Sequence, residues 1–239
     1  ITDGKIKTVT TRHLAGRRTI NAEGLVVAPG FIDLMSYDPN STGVWNKLAD
    51  GVTSNIAMHG GTDVPEEWYP KYEKLRPPLN YGASFGYVFA RNNLGISPYS
   101  PAGKEQVKKL AENAGKALLN GCLGISFSLE YQPGITTEEV LEILQVAAKY
   151  DVPVFFHLRY SDMEEPGTNI DALNEVIGYA EKTGISAHID HINSTGGTFS
   201  MEKSLDLVEN ARKSGLDISA CVYPYNSWAT YLCSARFDE

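Results

Sequence analysis

The chain has 239 residues, 42% hydrophobic and 21% charged, which is the composition of an ordinary globular protein large enough for one sizeable core. A net charge of -8 and a pI near 5.2 argue against a nucleic-acid surface and fit a cytoplasmic protein. No uncharged apolar run is long enough to span a bilayer. Three widely spaced cysteines (Cys122, Cys221 and Cys233) form no metal or redox motif and read as reduced thiols.

Residues 1–28 read as short β hairpins, with turn signals at Asp3-Gly4 and Glu23-Gly24. So little sheet does not stand alone, and the chain, which lacks an initiator Met, reads as a fragment of a longer protein. After Pro29-Gly30, a buried strand is expected over Phe31–Met35 and a helix over about Thr42–Asp50. The next strand covers Val52–Met58, with His59-Gly60-Gly61 at its carboxyl end, where glycines let backbone approach a ligand. Residues 62–80 suggest a helix with irregular loop, Tyr81–Ala90 a third strand, and 92–102 a loop.

Lys104–Asn120 is the clearest amphipathic helix, with Val107, Leu110, Ala111, Ala114, Ala117 and Leu118 on one face and Gly121 closing it. A strand at Gly124–Leu129 and a turn at Tyr131–Gly134 follow. A helix capped by Thr136 or Thr137 then runs to Lys149, with Glu138 and Glu139 favouring its positive end. Two apolar runs ending in histidine come next, Val152–Arg159 and Gly184–Asn193, with a helix over about Asn169–Thr183 between them. A helix at Ser200–Ser214 and a strand at Leu216–Val222 complete the pattern.

Strands alternating with helices imply a parallel sheet, which an open doubly wound sheet or an incomplete (β/α)8 barrel would satisfy. The first strand is not followed by a glycine-rich phosphate loop, which weighs against a dinucleotide enzyme. In such folds ligands gather at the carboxyl ends of the strands. His157 and His191 occupy that position on successive strands, and neutral imidazole is the commonest side-chain metal ligand. Alternation along a strand sets His188 on the opposite face from His191, as a satisfied polar residue packed against a helix, and turns Asp190 away from His191 in a structural role.

Several stretches in order carry a resemblance: Val26-Val27-Ala28-Pro29-Gly30-Phe31-Ile32-Asp33, Gly51-Val52-Thr53, Gly124-Ile125-Ser126 through Leu129-Glu130-Tyr131-Gln132-Pro133-Gly134, His157-Leu158-Arg159, Ile189-Asp190-His191 and Val222-Tyr223-Pro224-Tyr225. Together they resemble the amidohydrolase superfamily, in its D-aminoacylase (N-acyl-D-amino-acid deacylase) branch. The resemblance implies a (β/α)8 TIM barrel, seen here through about six strands over residues 29–239, and a small β-sandwich to which residues 1–28 contribute. It implies hydrolysis of an amide bond in a small-molecule substrate by metal-activated water, with an acid/base carboxylate on an eighth strand beyond Glu239.

Carried over residue by residue, His157 and His191 match the two strand-end metal ligands, and Tyr223 matches a substrate contact. Departures are evident. Met35 and Tyr37 stand where the first strand normally ends in His-x-His, and Gly60 stands where the branch has a cysteine ligand, with His59 beside it as a substitute. Asn193 replaces the lysine that binds the substrate carboxylate, so Arg159 either supplies the positive charge or serves a structural salt bridge. Glu130 reads as a loop or supporting carboxylate, and Asp38 as a residue still near the site.

The expected set is therefore His59, His157 and His191 on a single Zn2+ or other divalent metal, with Arg159, Asn193 and Tyr223 toward the substrate. The competing expectations are a catalytically degenerate barrel that binds a small molecule or partner, and a metal-independent lyase or isomerase. Open sheet edges suggest a homo-oligomer or a second segment of the same protein.

Overall fold

A computed structural model describes residues 1–164 and 166–237. Seven strands pair in chain order, all parallel: β1 (Phe31–Asp33), β2 (Val52–Thr62), β3 (Asn80–Gly86), β4 (Ile125–Ser128), β5 (Val154–His157), β6 (Ala187–Ile189) and β7 (Ile218–Ala220). The α-helices between them are α1 (Gly43–Ala49), α2 (Pro65–Leu75), α3 (Tyr87–Asn93), α4 (Lys104–Leu119), α5 (Thr137–Tyr150), α6 (Asn169–Thr183) and α7 (Met201–Lys213). The sheet curls into an incomplete (β/α) barrel with one strand more than the six expected. Among the described residues β1 and β7 each have a partner on one side only.

Alternation along the strands divides the sheet cleanly. Phe85, Ile125, Phe127, Val154, Phe156, Ala187, Ile189 and Ile218 join the core formed with the buried faces of α3 to α7. The intervening residues, including Ser84, Ser126, Phe155 and His188, face the barrel interior. There Ser84 bonds Ser126 at 2.9 Å, and the Phe155 and His188 rings lie 4.7 Å apart. His188 is thus satisfied as expected, by Ser219 at 2.8 Å, but inside the barrel and not against a helix.

Two further expectations change. The third strand stops at Gly86, and Tyr87–Asn93 is helical. Strand propensity is overridden there because Tyr87 and Arg91, one turn apart, both reach the buried Glu139 of α5. Residues 1–28 form the two predicted turns and one Thr2–Lys5 bridge, but no strand. Their side chains are almost all exposed, so nothing opposite them supplies the apolar face that a short strand needs.

The Glu139 carboxylate ties three segments together. It accepts from the Tyr87 hydroxyl at 2.8 Å, from Arg91, and from the Ala102 backbone N–H at 3.2 Å. Arg91 also donates to the carbonyls of Ser97 and Ser100 at 3.1 and 2.7 Å. Both ion-pair partners are buried, at 0% and 1% side-chain exposure, so removing one strands the other charge in the core. Glu139→Ala is therefore expected to destabilise the chain by about 3–5 kcal/mol. An Arg91→Met/Glu139→Leu double variant should recover part of that loss, as read by urea denaturation.

Candidate metal centre

Three histidines meet at the carboxyl end of the barrel. His59 comes from β2, His157 is the last residue of β5, and His191 lies two residues past β6. One ligand nitrogen from each falls within 4.8 Å of the others. The His59 ring centroid is 5.8 Å from that of His157 and 5.3 Å from that of His191. A cavity of about 480 Å3 opens over them, walled by Tyr37, Tyr131 and Tyr223 and by the segment after β7, whose Thr230 hydroxyl bonds Tyr131 at 3.0 Å.

Backbone turns, not strand alternation, deliver His191. The strand has ended at Ile189, and His191 takes a left-handed φ of +31°, unusual for a residue with a side chain. That conformation is held by the His191 N–H on the Cys221 thiol at 3.1 Å, by the Ser194 N–H on the His191 carbonyl at 2.8 Å, and by the neighbouring Ile192 N–H on Cys221 O at 2.9 Å. The same turn places Asp190 Oδ2 3.4 Å from His59 Nδ1, so Asp190 faces the cluster and not away from it. The expectation from alternation fails because it extends strand geometry two residues beyond the strand.

Glu130, in the 3-10 turn after β4, accepts from Nε2 of His157 at 2.8 Å and from the Ser161 hydroxyl. That bond assigns the His157 proton to Nε2 and leaves Nδ1 bare, facing His191 Nε2 at 3.1 Å. Two nitrogens bound tetrahedrally to one zinc ion at 2.0–2.1 Å lie about 3.3 Å apart, so this spacing fits such an ion. Burial, then the nearby His157 and His59, hold the His191 pKa down to about 3, which keeps its imidazole neutral and able to donate a lone pair. The donor set therefore fits a divalent metal with one position open.

The other expected residues divide. Tyr223 lines the cavity, its ring 6.4 Å from that of His191. Asn193 clamps the Tyr223 backbone through contacts of 3.3 and 3.4 Å. Arg159 is engaged by Glu175 at 2.9–3.1 Å and lines an adjoining cleft, so its geometry is that of the structural salt bridge. Asp38 accepts from Trp68 at 3.0 Å and Tyr72 at 2.9 Å, which pins it to α2 and away from the cluster. Tyr37 packs edge-on against His59 at 5.2 Å, and its ring lies where a side chain at Gly60 would project.

The curled parallel sheet defines the fold, an incomplete (β/α) barrel that carries an imidazole cluster at its carboxyl end. No family profile matches the chain. It is similar to the N-acyl-D-glutamate deacylase of Alcaligenes xylosoxydans xylosoxydans, 27% identical over 256 residues, which cover 93% of this chain and 51% of that protein. The D-aminoacylase of the same organism is 24% identical over 255 residues, covering 93% and 52%. A solved N-acyl-D-glutamate deacylase from Bordetella bronchiseptica, complexed with zinc and a phosphonate mimic of the reaction's tetrahedral intermediate, shares the fold. Its TM-score is 0.68 at 23% identity, over 82% of this chain and 48% of that one. The resemblance to the D-aminoacylase branch is thus shown in sequence and fold together, and the chain spans about half the length of the relatives it matches.

Inside the barrel, burial lowers the His188 pKa from its ordinary 6.5. The unfolded chain then takes up a proton that the folded one refuses, so stability present above pH 6.5 is lost as pH falls below it. His188→Asn should flatten this acid slope between about pH 6.5 and 5, measured as the urea midpoint against pH.

Proposed function

We propose that this chain carries the metal-binding part of a hydrolase that cleaves the carbon–nitrogen amide bond of a small molecule, with N-acyl-D-amino acids as the substrate class. One divalent ion, zinc by preference, is held by His59, His157 and His191. The reading rests above all on the convergence of three imidazoles, from within β2, the end of β5 and the turn after β6, to within 4.8 Å. Three protein ligands with one open position are the layout of a catalytic zinc site. When bound, zinc supplies a Lewis acid for the scissile carbonyl and acidifies a water molecule.

The chain's own residues prepare the site. Glu130 fixes the His157 tautomer. Tyr37 and Tyr131 wall the cavity beside the imidazoles, and Tyr223 faces the substrate. Asn193 acts through Tyr223, whose backbone it holds, and Arg159 steadies the loop after β5 through Glu175. No described residue is assigned the acid/base role that the resemblance gives to an eighth-strand carboxylate. Residues 1–28 are proposed as part of a small β-sandwich, and 29–239 as the barrel of the hydrolase.

No helix among the described residues is long and apolar enough to cross a membrane. A cytoplasmic setting, with the two sheet edges covered by a second copy or a further segment of the same protein, accords with the acidic composition and the one-sided pairing of β1 and β7.

A second reading, a catalytically degenerate barrel that binds a small molecule or partner, is favoured by one observation. Met35 and Tyr37 replace the first-strand histidines, and the Tyr37 ring packs directly on His59. The two readings separate on the full-length protein supplied with zinc. About one zinc per chain by elemental analysis is expected, with turnover of at least one N-acyl-D-amino acid in a panel, both lost in His157→Ala. Zinc-free protein would overturn the metal reading. Zinc without turnover of any amide would leave the binding barrel.

A further inference from the structure

We infer that Asp190 is a positioning residue that fixes the His59 imidazole with its proton on Nδ1, leaving Nε2 bare as the nitrogen offered to the metal. The inference rests on the metal reading above and deepens it.

The backbone at Asp190 is anchored to the elements that carry the other two histidines. Its N–H donates to the Phe156 carbonyl of β5 at 3.0 Å, one residue before His157, and its carbonyl accepts from the Thr195 hydroxyl at 3.2 Å. From that fixed point the side chain crosses to β2, where Oδ2 lies 3.4 Å from His59 Nδ1. The carboxylate is fully buried, at 0% exposure, and Oδ1 has no hydrogen-bond partner among the described residues. Among those residues the only basic side chain within 4.0 Å of it is the His59 ring, which is neutral when Nδ1 alone carries a proton. A buried carboxylate without a nearby cation is a costly choice for packing alone. Beside a divalent ion held by neutral imidazoles, it faces positive charge.

Orientation gives the second reason. His59 is the one ligand whose own strand continues past it, to Thr62, and glycines follow it directly. A ring in that setting needs an external partner to select its tautomer. Carboxylates that accept from the far nitrogen of a ligating histidine orient the ring and raise its basicity, and losing one lowers metal affinity 10–100-fold. Glu130 does this for His157, and Asp190 is placed to do it for His59.

The test uses the full chain and no activity measurement. Zinc affinity is read by competition with a chromophoric chelator for the parent protein, Asp190→Asn, His59→Ala and the double variant. Asp190→Asn is expected to weaken zinc binding 10–100-fold. The double variant should bind no more weakly than His59→Ala alone, because Asp190 acts only through that ring. Imidazole 15N shifts of the metal-free parent protein, which needs no substitution to fold, should show His59 protonated at Nδ1 and bare at Nε2. If the parent binds zinc and Asp190→Asn binds it equally well, the Asp190 role falls while the metal reading stands. Additive losses in the double variant, or the opposite His59 tautomer, overturn the role as well. A parent protein that binds no zinc removes the metal reading itself.

Discussion

The curl of the sheet is the constraint on which everything else in this protein depends. Neighbouring strands lie about 4.8 Å apart, so in a flat sheet β2 and β6, with three strands between them, would stand roughly 19 Å apart. Their histidines instead bring their ring centroids to 5.3 Å. Only closure toward a barrel turns the carboxyl ends of distant strands into a common floor. The outward residues of the strands, packed on α3 to α7, hold that curvature. The core and the site are therefore two faces of one arrangement. The apolar parity of each strand builds the wall, and the opposite parity supplies the interior.

Around the imidazoles the chemistry is arranged in pairs. His157 has Glu130, His59 has Asp190, and His191 has a backbone twisted into the left-handed region and held by Cys221, just past β7. The Glu130 bond orients the His157 ring, and the backbone turn sets the direction in which the His191 side chain leaves the chain. The carboxylates of Asp190 and Glu130 would also offset the charge of a divalent ion held there. The departures at the first strand take on meaning in this frame. Tyr37 fills space beside His59, and with glycine at position 60 the ring fits against β2.

The alternation of apolar and polar residues, the helix caps and the glycine stops were enough to read the order of elements. They yielded the parallel sheet and the barrel as one of two options. They missed where local propensity and packing disagree. Tyr87–Ala90 reads as the end of a strand but begins a helix, Tyr87–Asn93, that two contacts tie to Glu139. Residues 1–28 read as hairpins but form turns and a single bridge without strands, since turn chemistry is local and strand pairing is not.

For the site, the sequence by itself determined which side chains could take part: a few histidines at strand ends in a chain that has only five, with carboxylates close by. It could not decide their directions. Alternation assigned His188 to a helix and turned Asp190 away, because it treated the segment as strand through His191. The structure ends β6 at Ile189 and bends the chain at His191. A backbone dihedral of that kind is set by contacts with Cys221, 30 residues later in the chain, and no local pattern encodes it. Residue identity, then, was fixed locally. The meeting of the three rings, the Asp190–His59 contact and the commitment of Arg159 to Glu175 were decided by tertiary packing alone.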